Sequence, residues 1–231
     1  MNNNILQLKI QQRLNKLASN DYDNIECWQI VEAFNKGQID WVRRQLHGGN
    51  AYKEGDEHST FRIDDLQPLM MQIPLKGSAK TEYFETGLLP TGFMKFKRVS
   101  TKARKGDCPD RTLIVYEAEE HNADILLDDD NTKPSFEWGE TFCTRIGNRI
   151  RIYTGGDFTI IKPTLTYYRL PFPITIEGCV DENGFVTSDT PCEFKDDIVE
   201  ILIGECVSIL AGDMDNQAVE QRSSARVEKN N

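Results

Sequence analysis

Asp128-Asp129-Asp130-Asn131 is the densest run of oxygen ligands in the chain and the first place to look for a divalent cation. Consecutive residues of a flexible run do not converge their side chains, and the EF-hand spacing with its turn glycine is absent. A solvated acidic loop is the expectation there. Glu117, Glu119, Glu120 and His121 carry acid–base groups, but they fall at the end of a strand in a polar turn, without the desolvation that tunes a catalytic pKa. Cys143 needs a histidine base to act as a nucleophile, and no signature places one beside it. Gly155-Gly156 sits in a hairpin context rather than before a helix, so it is no phosphate cradle. The recognised nucleotide-binding, hydrolase and zinc-protease strings are missing. Cys27, Cys108, Cys143, Cys179, Cys192 and Cys206 contain no C-x-x-C pair and stand apart from His47, His58 and His121, which gives a Cys/His metal site little support. Reduced, mostly buried thiols are expected, with no catalytic, metal or cofactor-binding residue and no enzymatic activity.

The elements that carry these residues read as helix, then strand, then helix. Leu6, Ile10, Leu14 and Leu17 make the stripe of an amphipathic helix, broken at Ser19-Asn20-Asp21-Tyr22. Asp23 with Glu26 resembles a capping box, and helical spacing then runs from Ile25 to Leu46 before Gly48-Gly49. Residues 47–60 read as an exposed loop, and residues 61–72 as a short helix limited by Pro68. From there the period becomes two. Phe93–Val99, Thr112–Ala118, Thr141–Ile146, Arg149–Tyr153, Phe158–Ile161 and Thr164–Leu170 are strand-like, and Gly147-Asn148 marks a two-residue hairpin turn. Thr190-Pro191-Cys192-Glu193 combines three helix-start signals ahead of a helix apolar nearly all round and interrupted at Gly212. The expected fold class is α+β: an N-terminal helical hairpin and a buried C-terminal helix form a helical body (1–72 with 188–212), a large antiparallel β-meander insertion fills 73–187, and a polar tail covers 213–231.

Composition narrows the function classes. The chain has 231 residues, 39% hydrophobic and 28% charged, with a formal charge of -10. Such a balance disfavours dense phosphate binding, and no apolar run approaches the ~20 residues of a membrane span. The charge is uneven. Residues 91–114 hold seven bases (Lys95, Lys97, Arg98, Lys102, Arg104, Lys105, Arg111) against Asp107 and Asp110, whereas residues 177–231 hold 13 acids against four bases. A docking face and a solvated lysine-rich loop both account for the basic segment. Trp41 with Arg43 and Arg44 on the second helix, and Trp138, Tyr153, Tyr167, Tyr168 and Phe172 in the β region, fit either packing or interface anchors.

Three stretches resemble a known family. The opening RLNKLASNDYDNIECWQIVEAFNKGQIDWVRRQLHG looks like the start of tailed-phage head-to-tail connector proteins. The middle KPSFEWGETFCTRIGNRIRIYTGGDFTIIKPTLTYYRLP and the closing CEFKDDIVEILIGECVSILAGDMDNQAVEQR are similar to virion ring proteins of crAss-like bacteriophages. The resemblance implies a structural virion protein of the phage neck or tail, made in the bacterial host cytoplasm. It would form a homo-oligomeric ring, commonly dodecameric, that joins the portal or adjacent tail rings and lets genomic DNA pass through its lumen without sequence-specific binding. Lys95, Lys97, Arg98, Lys102, Arg104 and Lys105 are the expected contact residues, with Trp41, Arg43 and Arg44 on the second helix. Gln217 and Gln221 lie in the tail, expected to be a docking strap. No membrane partner is expected. A monomeric tail decoration or cargo-binding module and an enzyme with an acidic metal site are the competing readings.

Overall fold

The computed structural model describes residues 1–15, 25–47, 64–180 and 184–213. They divide into two compact units, Met1–Pro68 with Pro171–Asn231, and Leu69–Leu170. The class is α+β, with helices in the first unit and an eight-stranded sheet in the second.

In the first unit, α1 (Asn3–Asn15) turns Leu6, Ile10 and Leu14 inward as their spacing requires, and each is essentially without solvent contact. Burying a side chain of this size contributes about 1.5–3 kcal/mol. On its flank, Lys9 and Arg13 both pair with Glu200 of α4 (Asp196–Asp213). Helix α2 (Cys27–His47) buries Ile30, Phe34, Trp41 and Val42. Its start carries half of a capping box, displaced from the expected one: the Glu26 N–H donates to Gln29 Oε1 at 3.0 Å, while the Gln29 N–H donates to the Glu26 backbone carbonyl at 3.1 Å. Asp23, the break at 19–22 and the 48–60 loop lie outside the described residues. Both N-terminal helices pack chiefly on α4 rather than on each other. Side chains of α4 from Ile198 to Ala211 are all buried or half-buried, as its apolar circumference requires.

The start of α4 differs from expectation. Thr190-Pro191-Cys192-Glu193 is extended, and the helix begins at Asp196. Thr190 is committed elsewhere, exchanging backbone hydrogen bonds with Thr175, and the Glu193 carboxylate accepts the Phe172 N–H at 2.9 Å instead of folding back on a cap. Asp196 and Asp197 occupy the first turn, where the helix dipole favours anions. Residues from Pro171 onward join the helical unit through side chains that imitate backbone. Asn35 Oδ1 accepts the Ile174 N–H at 2.8 Å, and its Nδ2 donates to the Ile174 carbonyl at 3.2 Å. Buried Asn3 donates to the carbonyls of Thr175 and Thr190 at 3.0 and 2.9 Å. Residues 171–180 and 184–187, expected with the β region, therefore sit with the helical unit.

Cys27 and Cys179 are joined as a disulfide, with Cα atoms 5.6 Å apart. This corrects the expectation of reduced thiols throughout. The two lie 152 residues apart in sequence, and only the tertiary path brings their Cβ vectors together.

The second unit is one sheet in the order β1-β8-β4-β5-β6-β7-β3-β2. Its strands are β1 (Met70–Pro74), β2 (Gly77–Ala79), β3 (Tyr83–Thr86), β4 (Phe93–Arg104), β5 (Arg111–Glu117), β6 (Glu140–Ile146), β7 (Arg149–Tyr153) and β8 (Thr159–Arg169). Within the stretch expected to be helical, Gln67–Leu69 makes a single 3-10 turn, and β1 begins at Met70 because its backbone pairs with β8. The two strands expected at 158–161 and 164–170 are one strand, β8, with Lys162 at a φ of 51° where the register against β4 shifts. The β6–β7 hairpin turns at Gly147-Asn148; of the pair only Gly147 has positive φ, 56°, as a Gly-first turn requires.

All pairs are antiparallel except β5 with β6, which run parallel. Parallel neighbours need a crossover, and residues 118–139 supply it with the short helix α3 (Ala123–Asp128). The sheet curls on itself, so Phe96 and Val99 of β4 and Leu165 of β8 share a core with Cys143 of β6 and Ile150 and Ile152 of β7. On the other side of β6, α3 covers Phe142 and Tyr153 through Ala123, Leu126 and Leu127.

Candidate functional site

The expected chemistry-bearing groups are spent on local structure. The Asp129 carboxylate accepts the Asn131 N–H at 2.9 Å, and Asp130 pairs with Lys133. Among the described residues no group of three His, Cys, Asp or Glu side chains is placed to hold a metal ion. Glu117 pairs with Arg145 at 2.6 Å, Glu120 with Arg151 at 3.4 Å, and His121 with Glu119 at 3.4 Å. Cys143 lies in the core, and burial pushes its thiol up to about 12, far from a nucleophilic thiolate.

The basic segment resolves into two kinds of residue. Arg104 holds Asp110 through both ends of its guanidinium, at 2.7 and 3.1 Å, and Lys105 lies between Glu137 at 2.8 Å and Asp157 at 2.5 Å. These ties fold the β4–β5 turn region onto its own unit. Lys102 is exposed on β4 within the field of Asp110, and Lys95 is half-buried. Lys97 and Arg98 differ: both are exposed, and neither forms an ion pair among the described residues.

A β-bulge is what presents them together. Phe96 faces Tyr167 and Arg98 faces Thr166, so Lys97 is an extra residue on β4. Without it, alternation would turn one of the two cations toward the core. With it, Phe96 and Val99 both point inward and the two residues between them both point out. The pairing of β4 with β5 is confined to Thr101–Ala103, so the cationic stretch is flanked by β8 alone.

The second surface of this unit lies over β5 and β6. A cleft of about 630 Å³ is lined by Tyr116, Trp138, Glu140 and Phe142, together with residues 130–133 and Ser135. Trp138 is 82% exposed and Tyr116 52%. Tyr116 O–H donates to Glu140 Oε1 at 3.3 Å, and the carboxylate's charge raises the phenol's pKa. Sequence reading placed Trp138 among strand aromatics and passed over Tyr116. One signal was present: Leu113, Ile114, Val115 and Tyr116 make both faces of β5 apolar, the pattern of a strand covered on two sides. Leu113 is buried, but Ile114 is 57% exposed, so the outer cover is incomplete.

In the helical unit, Trp41 is 2% exposed and meets Phe194 edge-on at 5.3 Å, which makes it core and removes it from the expected contact surface. Arg44 is turned to Glu205 of α4. Arg43 lines a groove of about 730 Å³ along α2 whose apolar walls include Trp28, Ile39, Ile174 and Val180. Gln217 and Gln221 lie outside the described residues. No helix of the described residues is long and apolar enough to cross a membrane. No protein-family model matches the chain, and no curated protein is significantly similar to it.

Proposed function

We propose that this chain is a structural subunit of a bacteriophage particle, one copy of a homo-oligomeric ring in the head-to-tail connector or upper tail of a crAss-like phage. The sequence resemblance over three stretches motivates the reading. The single structural observation that supports it is the outward pair Lys97 and Arg98, cations that the chain does not neutralise within its described residues. A charge pair built by a bulge and left without an anion is available to another chain. A ring of identical subunits needs two different faces that fit each other, and an exposed cationic face is one of them. The portal or neighbouring tail rings are the further partners, and the strongly acidic composition suits a lumen through which DNA slides without being held.

The test is a cryo-EM reconstruction of the phage neck with dodecameric symmetry imposed. A ring whose density accepts the helical unit and the curled sheet supports the reading, and a neck with no such ring refutes it. The exposed Trp138–Tyr116 cleft favours a second reading, a monomeric decoration or cargo-binding module, which predicts copies unmatched to the portal's symmetry. A third, an enzyme using Asp128–Asp130, predicts that alanine replacement there abolishes infectivity while leaving particles intact.

A further inference from the structure

We infer that the Trp138–Tyr116–Glu140 cleft receives Lys97 and Arg98 of a second copy of this chain. The inference rests on the ring reading above and names the contact that would close such a ring. Three observations meet in it.

The first is a charge left over on each side. Of the carboxylates lining the cleft, Glu117 is matched by Arg145 and Asp130 by Lys133, whereas Glu140 has only the neutral phenol of Tyr116 among the described residues. On β4, Lys97 and Arg98 have no anion among the described residues. Among the described residues, one surface of the unit lacks a cation and another lacks an anion.

The second is the chemistry of the cleft walls. Trp138 and Tyr116 line the cleft together with the Glu140 carboxylate, and aromatic rings beside a carboxylate suit a guanidinium or ammonium better than an anionic guest. Exposed ion pairs alone are worth little, so the aromatic walls are what make the contact more than a rim charge. Filling the cleft would also cover Trp138, which otherwise spends its indole on water.

The third is geometry. Lys97 and Arg98 lie on β4 and the cleft lies over β5–β6, and among the described residues neither cation pairs with a cleft carboxylate. Two distinct patches of complementary charge that are not paired within one copy make a heterologous contact, the kind that propagates into a ring.

The experiment uses the full chain with a photo-crosslinking amino acid at Arg98, and in a second variant at Lys97. It is irradiated as an equal mixture of 15N-labelled and unlabelled copies, so that bonds between copies are told from bonds within one. Mixed-label crosslinks mapping to Trp138, Glu140 and their neighbours are expected. Trp138→Ala with Glu140→Gln should lower their yield about tenfold, the loss of one cation–π and charge contact. Crosslinks between copies that map elsewhere overturn the cleft assignment and leave the ring reading standing. Absence of any crosslink between copies overturns the inference, and the ring reading is then judged by the reconstruction alone. Circular dichroism identical to wild type shows that each variant is folded, and the two crosslinking positions must agree.

Discussion

A Cβ built on Gly37 of α2 would lie 3.3 Å from the Cβ of Glu205 on α4. The two helices cross at this glycine, and Ile209 and the Cys206 backbone close the remaining space. Gly37→Leu is therefore expected to pry the helices apart at a cost of about 1–3 kcal/mol, the range of overpacked cores. Urea unfolding monitored at 222 nm checks it. A variant as stable as wild type would show that the crossing has slack.

The Cys27–Cys179 bridge closes a loop across 152 residues. Chain entropy puts a loop of that size near the upper end of the roughly 2–5 kcal/mol that loss of a disulfide costs. Cys27→Ser should lower stability by that amount, and a reductant should do the same to wild type while leaving Cys27→Ser unchanged. Thermal melts with and without dithiothreitol read both effects.

Glu200 is held below the ordinary glutamate range, first by its hydrogen bond from Lys9 and further by the charge of Arg13. A depressed carboxylate stabilises the folded state above its unfolded value, and that stability is lost as pH falls through the folded one. Docking of α1 on α4 should therefore weaken in acid, and Glu200→Gln should be less stable at neutral pH while losing less on acidification. Hydrogen exchange of the α1 amides across the acid range distinguishes the two. Equal acid sensitivity in wild type and variant would discard this account.

Lys97→Glu with Arg98→Glu should leave the fold intact, because both side chains are exposed and lack ion pairs among the described residues. Substitutions at such positions change stability by no more than about 0.5 kcal/mol. Under the ring reading the same variant should fail to assemble. A melting temperature unchanged beside absent rings is the expected pair of results, and normal rings would sink the role given to these cations.

How far sequence alone could reach follows from the range of the interactions involved. The stripe Leu6, Ile10, Leu14 and the alternation in Arg149–Tyr153 are local patterns, and the structure contains α1 and β7 where those patterns lie. Thr190-Pro191-Cys192-Glu193 carries equally local signals and misleads, because Thr175 and Phe172 compete for the same groups through contacts made only after folding. The parallel β5–β6 pair, the disulfide and the burial of Trp41 are long-range outcomes of the same kind. For the surface, the basic segment was legible as composition. Which of its residues are neutralised depends on Asp110, Glu137 and Asp157 arriving beside Arg104 and Lys105, and the outward turn of both Lys97 and Arg98 on one inserted residue in β4.

The bridge between Cys27 and Cys179 also has a mechanical side. Residues 28–178, the entire curled sheet among them, lie inside the covalent loop it closes. Tension applied between points outside that loop passes from Cys27 through two sulfur atoms to Cys179, and neither the strands nor the rest of α2 carry it. In an optical trap the oxidised chain should stop extending short of the reduced one by the length of the loop, about 3.3–3.6 Å for each residue within it. A sheet so bypassed can remain folded while α1 and α4, on either side of the bridge, bear the load.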